Sequence, residues 1–150
     1  MKKIIFLTVF VLWALVGCNN LQWSEVSYPR MTWDEAKQYC EDLDEDDHND
    51  WRLPNIDELR TLIKAPEAIS GGKCQISEKA GKLADEDYTR DCSNSICKLG
   101  GDSITAGFPG ILWSSSVQSD NPDKAWTVDF VDGRVSHTYT DSKQSVSCVR

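Results

Sequence analysis

The sequence predicts a single α+β domain in which two short helices pack on a small antiparallel sheet. Apolar residues recur at helical spacing between residues 33 and 63, whereas short β-rich segments follow residue 110. Between these regions, residues 64–107 lose the periodicity and contain three cysteines, which indicates a long loop stapled by a disulfide. Helices and strands that are segregated along the chain are typical of the α+β class.

Residues 1–17 have the composition of a secretory signal peptide. Lys2 and Lys3 precede a mostly apolar run of 13 residues, 4–16, and a membrane-spanning helix needs roughly 20. The run ends in Leu-Val-Gly-Cys, which resembles a bacterial lipobox, so we expect a lipid on Cys18 that anchors the mature chain to a membrane. Asn19, rather than an aspartate, follows this cysteine. An asparagine at this position favours the outer membrane of a Gram-negative bacterium, on its periplasmic or surface side.

The mature chain, residues 18–150, has the size of one domain and a strongly acidic charge. Loss of the two signal lysines leaves 14 basic and 24 acidic residues, a formal charge of −10. Such a surface disfavours nucleic acid and other polyanions as partners. Cationic partners and neutral glycans are compatible with this charge.

The first predicted elements are a strand and a helix. Residues 21–26 alternate apolar and polar side chains, which predicts a short strand. A helix is predicted to begin after Thr32, because Thr32 and Glu35 have the spacing of a capping box. Its apolar stripe, with intervals of three and four residues, consists of Trp33, Ala36, Cys40 and Leu43.

A second helix is predicted to begin after Asn55, with Glu58 three residues further on. Its apolar face consists of Ile56, Leu59, Leu62 and Ile63. The segment between the two helices carries seven carboxylates: Glu41, Asp42, Asp44, Glu45, Asp46, Asp47 and Asp50. This run lacks the glycine and glutamate spacing of an EF-hand calcium loop. We therefore expect a solvated connector and no cofactor, with Ca²⁺ as the alternative.

The sheet is predicted from four segments: residues 111–117, 125–130, 134–139 and 145–149. Asp132 and Gly133, between the second and third segments, predict a hairpin turn.

Five cysteines remain if Cys18 carries the lipid, so at most two disulfides can form in an oxidising compartment. Cys74, Cys92 and Cys97 lie in the long loop, and the sequence does not say which two of them pair. A zinc site would need CxxC-type pairs or a fourth ligand. Neither is evident, so no metal site is predicted.

Five sequence blocks resemble the Lcl C-terminal domain family, named from the Legionella collagen-like adhesin. In order they are MTWDEAKQYC, NDWRLPNIDELRTLI, FPGILWSSS, AWTVDFVDGRV and the closing CVR. The resemblance covers residues 21–150 and implies a fold similar to C-type-lectin-like and sulfatase-modifying-factor domains. In those folds a cysteine of the first helix is bonded to one of the last strand. The resemblance thereby implies a disulfide between Cys40 and Cys148.

Few residues indicate a specific chemistry. The serines at positions 114–116 and His137 could suggest a hydrolase, but no GxSxG motif is present, so we expect no enzymatic activity. Asn121, Pro122 and Asp123 are similar to the proline-centred tripeptide by which calcium-dependent lectins bind sugar. A turn before the following strand explains the same three residues without a ligand.

The aromatic residues divide into two predicted groups. Those on regular elements are expected in the core: Trp33, Trp51, Trp113 and Trp126. The others are candidates for an exposed platform on which a sugar ring could stack: Tyr88, Phe108 and Tyr139. Together with Asn121 and Asp123, the second group forms the predicted ligand surface.

The sequence therefore favours a noncatalytic lipoprotein of the cell envelope that acts as a ligand-binding or adhesin-like module. The expected partners are the membrane, through the lipid, and an extracellular or envelope glycan or protein. The alternative is a structural or interaction lipoprotein of the envelope without a small ligand.

Overall fold

The structure is a computed structural model that describes residues 21–63, 74–93 and 110–150. The first part contains the helices α1 (Trp33–Glu41) and α2 (Ile56–Arg60). The second contains a 3₁₀ turn (Asp85–Asp87) and the short helix α3 (Arg90–Ser93). The third contains the strands β1 (Ile111–Gln118), β2 (Asn121–Asp129) and β3 (Arg134–Tyr139). The predicted α+β class is confirmed.

Both α1 and α2 begin at the capping boxes that the sequence predicts. The Thr32 hydroxyl accepts a hydrogen bond from the backbone N–H of Glu35, whose carboxylate accepts one from the N–H of Thr32 at 2.8 Å. Asn55 and Glu58 form the same reciprocal pair, at 2.9 Å in each direction. These bonds satisfy N–H groups that a helix leaves unpaired at its start. Within the described ranges, no helix has the length and apolar character needed to cross a bilayer.

The three strands form one antiparallel sheet in the order β1-β2-β3. The pairing of β1 with β2 shifts register twice before Gln118. By contrast, β2 and β3 pair without interruption from Lys124 opposite Tyr139 to Asp129 opposite Arg134. Their connection ends at Gly133, whose φ of 73° lies in the left-handed region that glycine adopts readily. The predicted hairpin turn is thus present.

The sheet separates two hydrophobic cores, because both of its faces are covered. On one face, Leu112 and Trp126 pack with α2 and the Cys74–Cys92 disulfide, and we call this the α2 core. On the other face, Trp113 and Ala125 pack with α1 and the C-terminal segment, and we call this the α1 core. Neighbouring residues of a strand point to opposite faces, which is why consecutive residues enter different cores. The two predicted helices therefore lie on opposite faces of the sheet.

The strands predicted at residues 21–26 and 145–149 are not regular strands, and that prediction was wrong. The two segments form isolated bridges, such as the one between Trp23 and Val149. Serine side chains interrupt the ladder: the Ser24 hydroxyl accepts from the N–H of Cys148, and the Ser147 hydroxyl donates to the carbonyl of Ser24. Alternating polarity identified extended chain here, but it does not reveal side-chain bonds that replace backbone pairs.

Two disulfides join distant parts of the chain. The bridge between Cys40 and Cys148 connects α1 to the C-terminal segment across 108 residues, as the resemblance implied. The second bridge joins Cys74 and Cys92, the pair that the sequence left open. Cys97 and the predicted lipidation site Cys18 lie outside the described residues.

Candidate functional site

A cleft of about 290 Å³ lies between α1, the segment that leads into α2, and β1. We call it the α1–β1 cleft, and its lining residues are Lys37, Glu41, Arg52, Leu53, Asn55, Glu78 and Ser115. Three of them belong to the WRLPN block and one to the WSSS block. The sequence blocks that carry the family resemblance therefore form part of the walls of the α1–β1 cleft. Its volume is close to the roughly 300 Å³ at which small-molecule sites begin.

Arg52 is a fixed donor at the edge of this cleft. Its guanidinium makes two hydrogen bonds, of 2.7 and 2.6 Å, to the carboxylate of Glu58 in α2. The paired Arg52 stabilises the charged form of Glu58 and lowers the pKa of that carboxyl, while the same bonds raise the pKa of Arg52. The charge of Arg52 is thus already neutralised by its neighbour.

Strand β1 forms the next wall through a short chain of hydrogen bonds. The N–H of Ser115 donates to the carbonyl of Pro54 at 2.7 Å, which attaches the WRLPN block to β1. The Ser116 hydroxyl accepts from the N–H of Ile56 at 2.9 Å and donates to the carboxylate of Glu78. Glu78 thereby enters the cleft from the turn after Cys74, a contact for which the sequence holds no signal.

Lys37 forms the wall that α1 contributes. Its Nζ lies 2.9 Å from a carboxylate oxygen of Asp34 and 3.8 Å from the ring centroid of Trp33. The Trp33 Nε1–H donates to the carbonyl of Ser114 at 2.8 Å. Trp33 is half-buried rather than part of the core interior. The other tryptophans expected in the core are buried: Trp51, Trp113 and Trp126.

The lining of the α1–β1 cleft contains several hydrogen-bonding groups, and its two cations already have acidic partners. Lys37 and Arg52 are already paired with Asp34 and Glu58, so the carboxylates of the lining leave the cleft acidic rather than neutral. Glu41 is exposed and has no ion pair among the described residues. With the hydroxyl of Ser115, the cleft offers both donors and acceptors. Such a lining suits a neutral ligand whose groups also donate and accept.

The predicted ligand surface is not a single surface in this fold. Tyr88 does not form an exposed platform, because its ring is partly buried. The centroid of this ring lies 6.0 Å from that of Trp126 and 5.8 Å from that of His137. Phe108 lies outside the described residues.

Asn121 and Asp123 are the first residues of β2 rather than a turn before it, since the turn is formed by residues 119–120. The side-chain oxygen of Asn121 accepts from the N–H of Asp123 at 3.2 Å. Strand alternation places Asp123 on the face opposite to Lys124, which pairs with Tyr139. Tyr139 is 57% exposed, with the Nζ of Lys124 5.2 Å from its ring centroid. Tyr139 therefore keeps an open ring, but on the opposite face of the strands from Asp123.

The side chains of His137 and Asp85 form a hydrogen bond that the sequence does not indicate. The Nε2 of His137 lies 2.9 Å from Oδ1 of Asp85, and its ring packs edge-on against Trp126 with centroids 5.1 Å apart. The amide of Gln118 donates to the same carboxylate at 3.2 Å. Asp85 thus fastens the 3₁₀ turn to both β1 and β3. The partners are 52 positions apart in the chain, beyond the range of any local pattern.

The acidic run between the helices contains a formed hairpin. Glu45 and His48 exchange backbone hydrogen bonds of 3.1 and 3.0 Å around Asp46 and Asp47. The φ angles of these two aspartates are 55° and 62°, as a type I′ turn requires at both central positions. In the parts of the chain that the structure describes, no three His, Cys, Asp or Glu side chains are grouped as metal ligands.

The comparisons with known proteins agree with the sequence blocks. None of the curated proteins matches this chain. The family model described as the Lcl C-terminal domain matches residues 18–150, a range that includes both cores, both disulfides and the α1–β1 cleft. The chain therefore belongs to the Lcl C-terminal domain family.

Proposed function

We propose that this chain is a noncatalytic, lipid-anchored protein of the bacterial outer membrane that binds a neutral glycan in the α1–β1 cleft. The observation that carries the proposal is the composition of that cleft: cations that already have acidic partners, a carboxylate without an ion pair among the described residues, and a hydroxyl. Sugar hydroxyls both donate and accept hydrogen bonds, so they match such a lining.

A neutral glycan fits better than a sulfated or otherwise anionic one. Both cations of the cleft have acidic partners, since Arg52 is bonded to Glu58 and Lys37 to Asp34. A polyanion would have to displace these partners and approach a chain whose mature charge is −10. A neutral sugar avoids both costs.

The arrangement of nucleophiles and bases supports a binding role rather than catalysis. The Ser116 hydroxyl donates to Glu78 and accepts from the backbone of α2. His137 instead pairs with Asp85 at the 3₁₀ turn. Among the described residues these groups do not form a serine–histidine pair, which nucleophilic catalysis of this kind would need.

Glycan-array binding by residues 19–150, without the lipid, tests the proposal. We expect retention of a neutral glycan, and we expect Glu41→Ala to weaken that binding by about tenfold, because it removes a charged acceptor. Glu25→Ala removes a carboxylate that is also exposed but lies outside the cleft, and it should leave binding unchanged. Arrays with and without EDTA test the calcium alternative, which predicts loss of binding in the chelator.

Two results would contradict the glycan proposal. One is the absence of retention on any glycan at high protein concentration, which would favour the structural or interaction lipoprotein. The other is glycan binding that Glu41→Ala and Glu25→Ala affect equally, which would move the ligand away from the α1–β1 cleft.

A further inference from the structure

A second cleft, of about 260 Å³, lies where the described chain begins. We call it the N-terminal cleft, and its lining residues are Gln22, Trp23, Asp46, His48 and Trp51. We propose that it binds the ammonium-bearing headgroup of a zwitterionic phospholipid and so holds the domain against the membrane. This inference rests on the proposed lipid anchor at Cys18.

The position of Gln22 limits the distance between this cleft and the anchor. An extended chain spans at most about 3.6 Å per residue, so Cys18 lies within roughly 14 Å of Gln22. The backbone of Gln22 exchanges two hydrogen bonds of 3.1 Å with Arg150, so the chain is fixed to the folded domain from this point onward. A lipid on Cys18 therefore keeps the N-terminal cleft within reach of the headgroups.

Two indole rings make the cleft suitable for an organic cation. Trp23 is half-buried, whereas Trp51 belongs to the α1 core and is only 6% exposed where it lines the cleft. The ring of Trp51 is held by a hydrogen bond from its Nε1–H to the carbonyl of His48 at 3.0 Å. The guanidinium of Arg150 already packs 5.9 Å from the ring centroid of Trp51. Indole rings attract cations over their faces and favour the interfacial region of a bilayer. The cleft thus combines attraction for a cation with side chains that favour the membrane interface, and a headgroup site needs both.

The charges around the cleft favour an ammonium group over an anionic headgroup. Asp46 is exposed and has no ion pair in the described part of the chain, and the neighbouring Asp47 is exposed as well. The guanidinium of Arg150 is already bonded to Asp50, at 2.8 Å, and to the side chain of Gln22. An anionic lipid would therefore meet these carboxylates, and the nearby guanidinium of Arg150 already has an acidic partner. An ammonium group would meet a carboxylate and two indoles.

The test is an NMR titration of residues 19–150, which contain both cores, with short-chain phospholipids below their micelle concentration. Dihexanoyl phosphatidylethanolamine is compared with dihexanoyl phosphatidylglycerol, which has the same chains and no ammonium group. We expect saturable shifts of the Trp23 and Trp51 indole signals with the first lipid and none with the second. The indole signals of Trp113 and Trp126, which are buried in the two cores, serve as internal controls.

Asp46→Asn should weaken the headgroup binding by about tenfold, because it removes the carboxylate that faces the ammonium group. Asp141→Asn, at an exposed aspartate outside the cleft, should have no effect. The inference is overturned by the absence of shifts at Trp23 and Trp51, by equal responses to both lipids, or by unchanged binding of Asp46→Asn.

Mass spectrometry of the membrane-extracted protein separates this inference from the anchor on which it rests. A Cys18 without diacylglyceryl would remove the anchor, and the titration would still report on the cleft. If Cys18 is lipidated but the titration gives no shifts at Trp23 and Trp51, only the headgroup site is overturned. Neither result bears on glycan binding in the α1–β1 cleft.

Discussion

Asp47 has a backbone conformation that is unfavourable for most side chains. It is the second central residue of the type I′ turn between Glu45 and His48, with a φ of 62°. The left-handed region costs an ordinary residue about 1–2 kcal/mol, although aspartate tolerates it better than most. The preferred residue at this position of the turn is glycine. Glycine would therefore suit the backbone conformation at this position better than the aspartate that the sequence has there.

We expect Asp47→Gly to raise the free energy of unfolding by about 0.5–1 kcal/mol, because it relieves the left-handed conformation. Urea denaturation followed by circular dichroism measures the change. Asp47→Ala removes the same carboxylate but retains a Cβ atom, so it should not stabilise the protein. Equal stabilisation by glycine and alanine would assign the effect to charge rather than to the backbone.

The bidentate pair of Glu58 with Arg52 should make stability depend on pH in the acid range. Arg52 lowers the pKa of Glu58 below its ordinary value of 4.5 in the folded state, so the unfolded chain takes up the proton first. The stabilisation is therefore complete above that value and is lost as pH falls through the folded pKa. Since the side chain of Arg52 is 50% exposed, solvent screening limits the effect to about 1 kcal/mol or less.

Urea midpoints between pH 3 and pH 6 test this expectation. Glu58→Gln keeps a residue that can cap the helix but loses the charge, so its stability should vary less with pH than that of the unmodified protein. Glu25→Gln, at an exposed position, is the matched control. Identical pH profiles for Glu58→Gln and the unmodified protein would show that this ion pair does not stabilise the fold.

Residue-level features could be predicted where the partners are neighbours in sequence. Thr32 with Glu35 and Asn55 with Glu58 follow a three-residue rule of helix starts, and both pairs are present. The carboxylate of Glu78 in the α1–β1 cleft could not be predicted. It comes 38 positions before its partner in β1, and only the tertiary fold brings them together.

At the scale of elements, the two disulfides hold different connections and should contribute unequally. The Cys40–Cys148 bridge closes a separation of 108 residues, and the Cys74–Cys92 bridge one of 18. In the chain-entropy model these loops correspond to about 4.7 and about 3 kcal/mol, because a longer loop restricts the unfolded chain more.

We therefore expect the double variant Cys40→Ala with Cys148→Ala to lower the free energy of unfolding more than Cys74→Ala with Cys92→Ala. Urea denaturation of the two variants under the same buffer conditions gives the comparison. All four cysteines are buried, so both variants also lose similar packing. A larger loss from the shorter bridge would show that native-state contacts, rather than loop length, determine the order.

Regular elements were predictable from the period or the composition of their side chains. The helices after Thr32 and Asn55 carry a helical period, whereas the strands β1, β2 and β3 were predicted from their β-rich composition. The segments at residues 21–26 and 145–149 do not form regular strands, because serine side chains take part in their pairing. Alternating polarity cannot distinguish such a segment from a strand.

At the scale of the whole molecule, one sheet supports two cores. In β2, four consecutive residues, 125–128, are buried, as expected for a strand with both faces covered. The amphipathic pattern of each helix predicted a buried face but not the side of the sheet that it would cover. That choice depends on connections between elements, which are not encoded in the period of either helix.

Because β1 and β2 contribute to both cores, we expect the α1 core and the α2 core to unfold together. Leu59→Ala in the α2 core and Leu53→Ala in the α1 core should each cost about 2–5 kcal/mol. Two buried indole N–H groups report on the cores separately. Trp126 donates to the carbonyl of Leu83 in the α2 core, and Trp113 donates to the carbonyl of Met31 in the α1 core.

Hydrogen exchange of these two indole protons measures the coupling. If the sheet unites the cores, both indole protons exchange through global unfolding. Leu59→Ala should then accelerate exchange at Trp113 and at Trp126 by the same factor. Leu53→Ala should do the same. Acceleration confined to Trp126 in Leu59→Ala, and to Trp113 in Leu53→Ala, would instead mean that each core opens alone. The sheet would then separate two independent units, and a ligand in the α1–β1 cleft would stabilise only the α1 core.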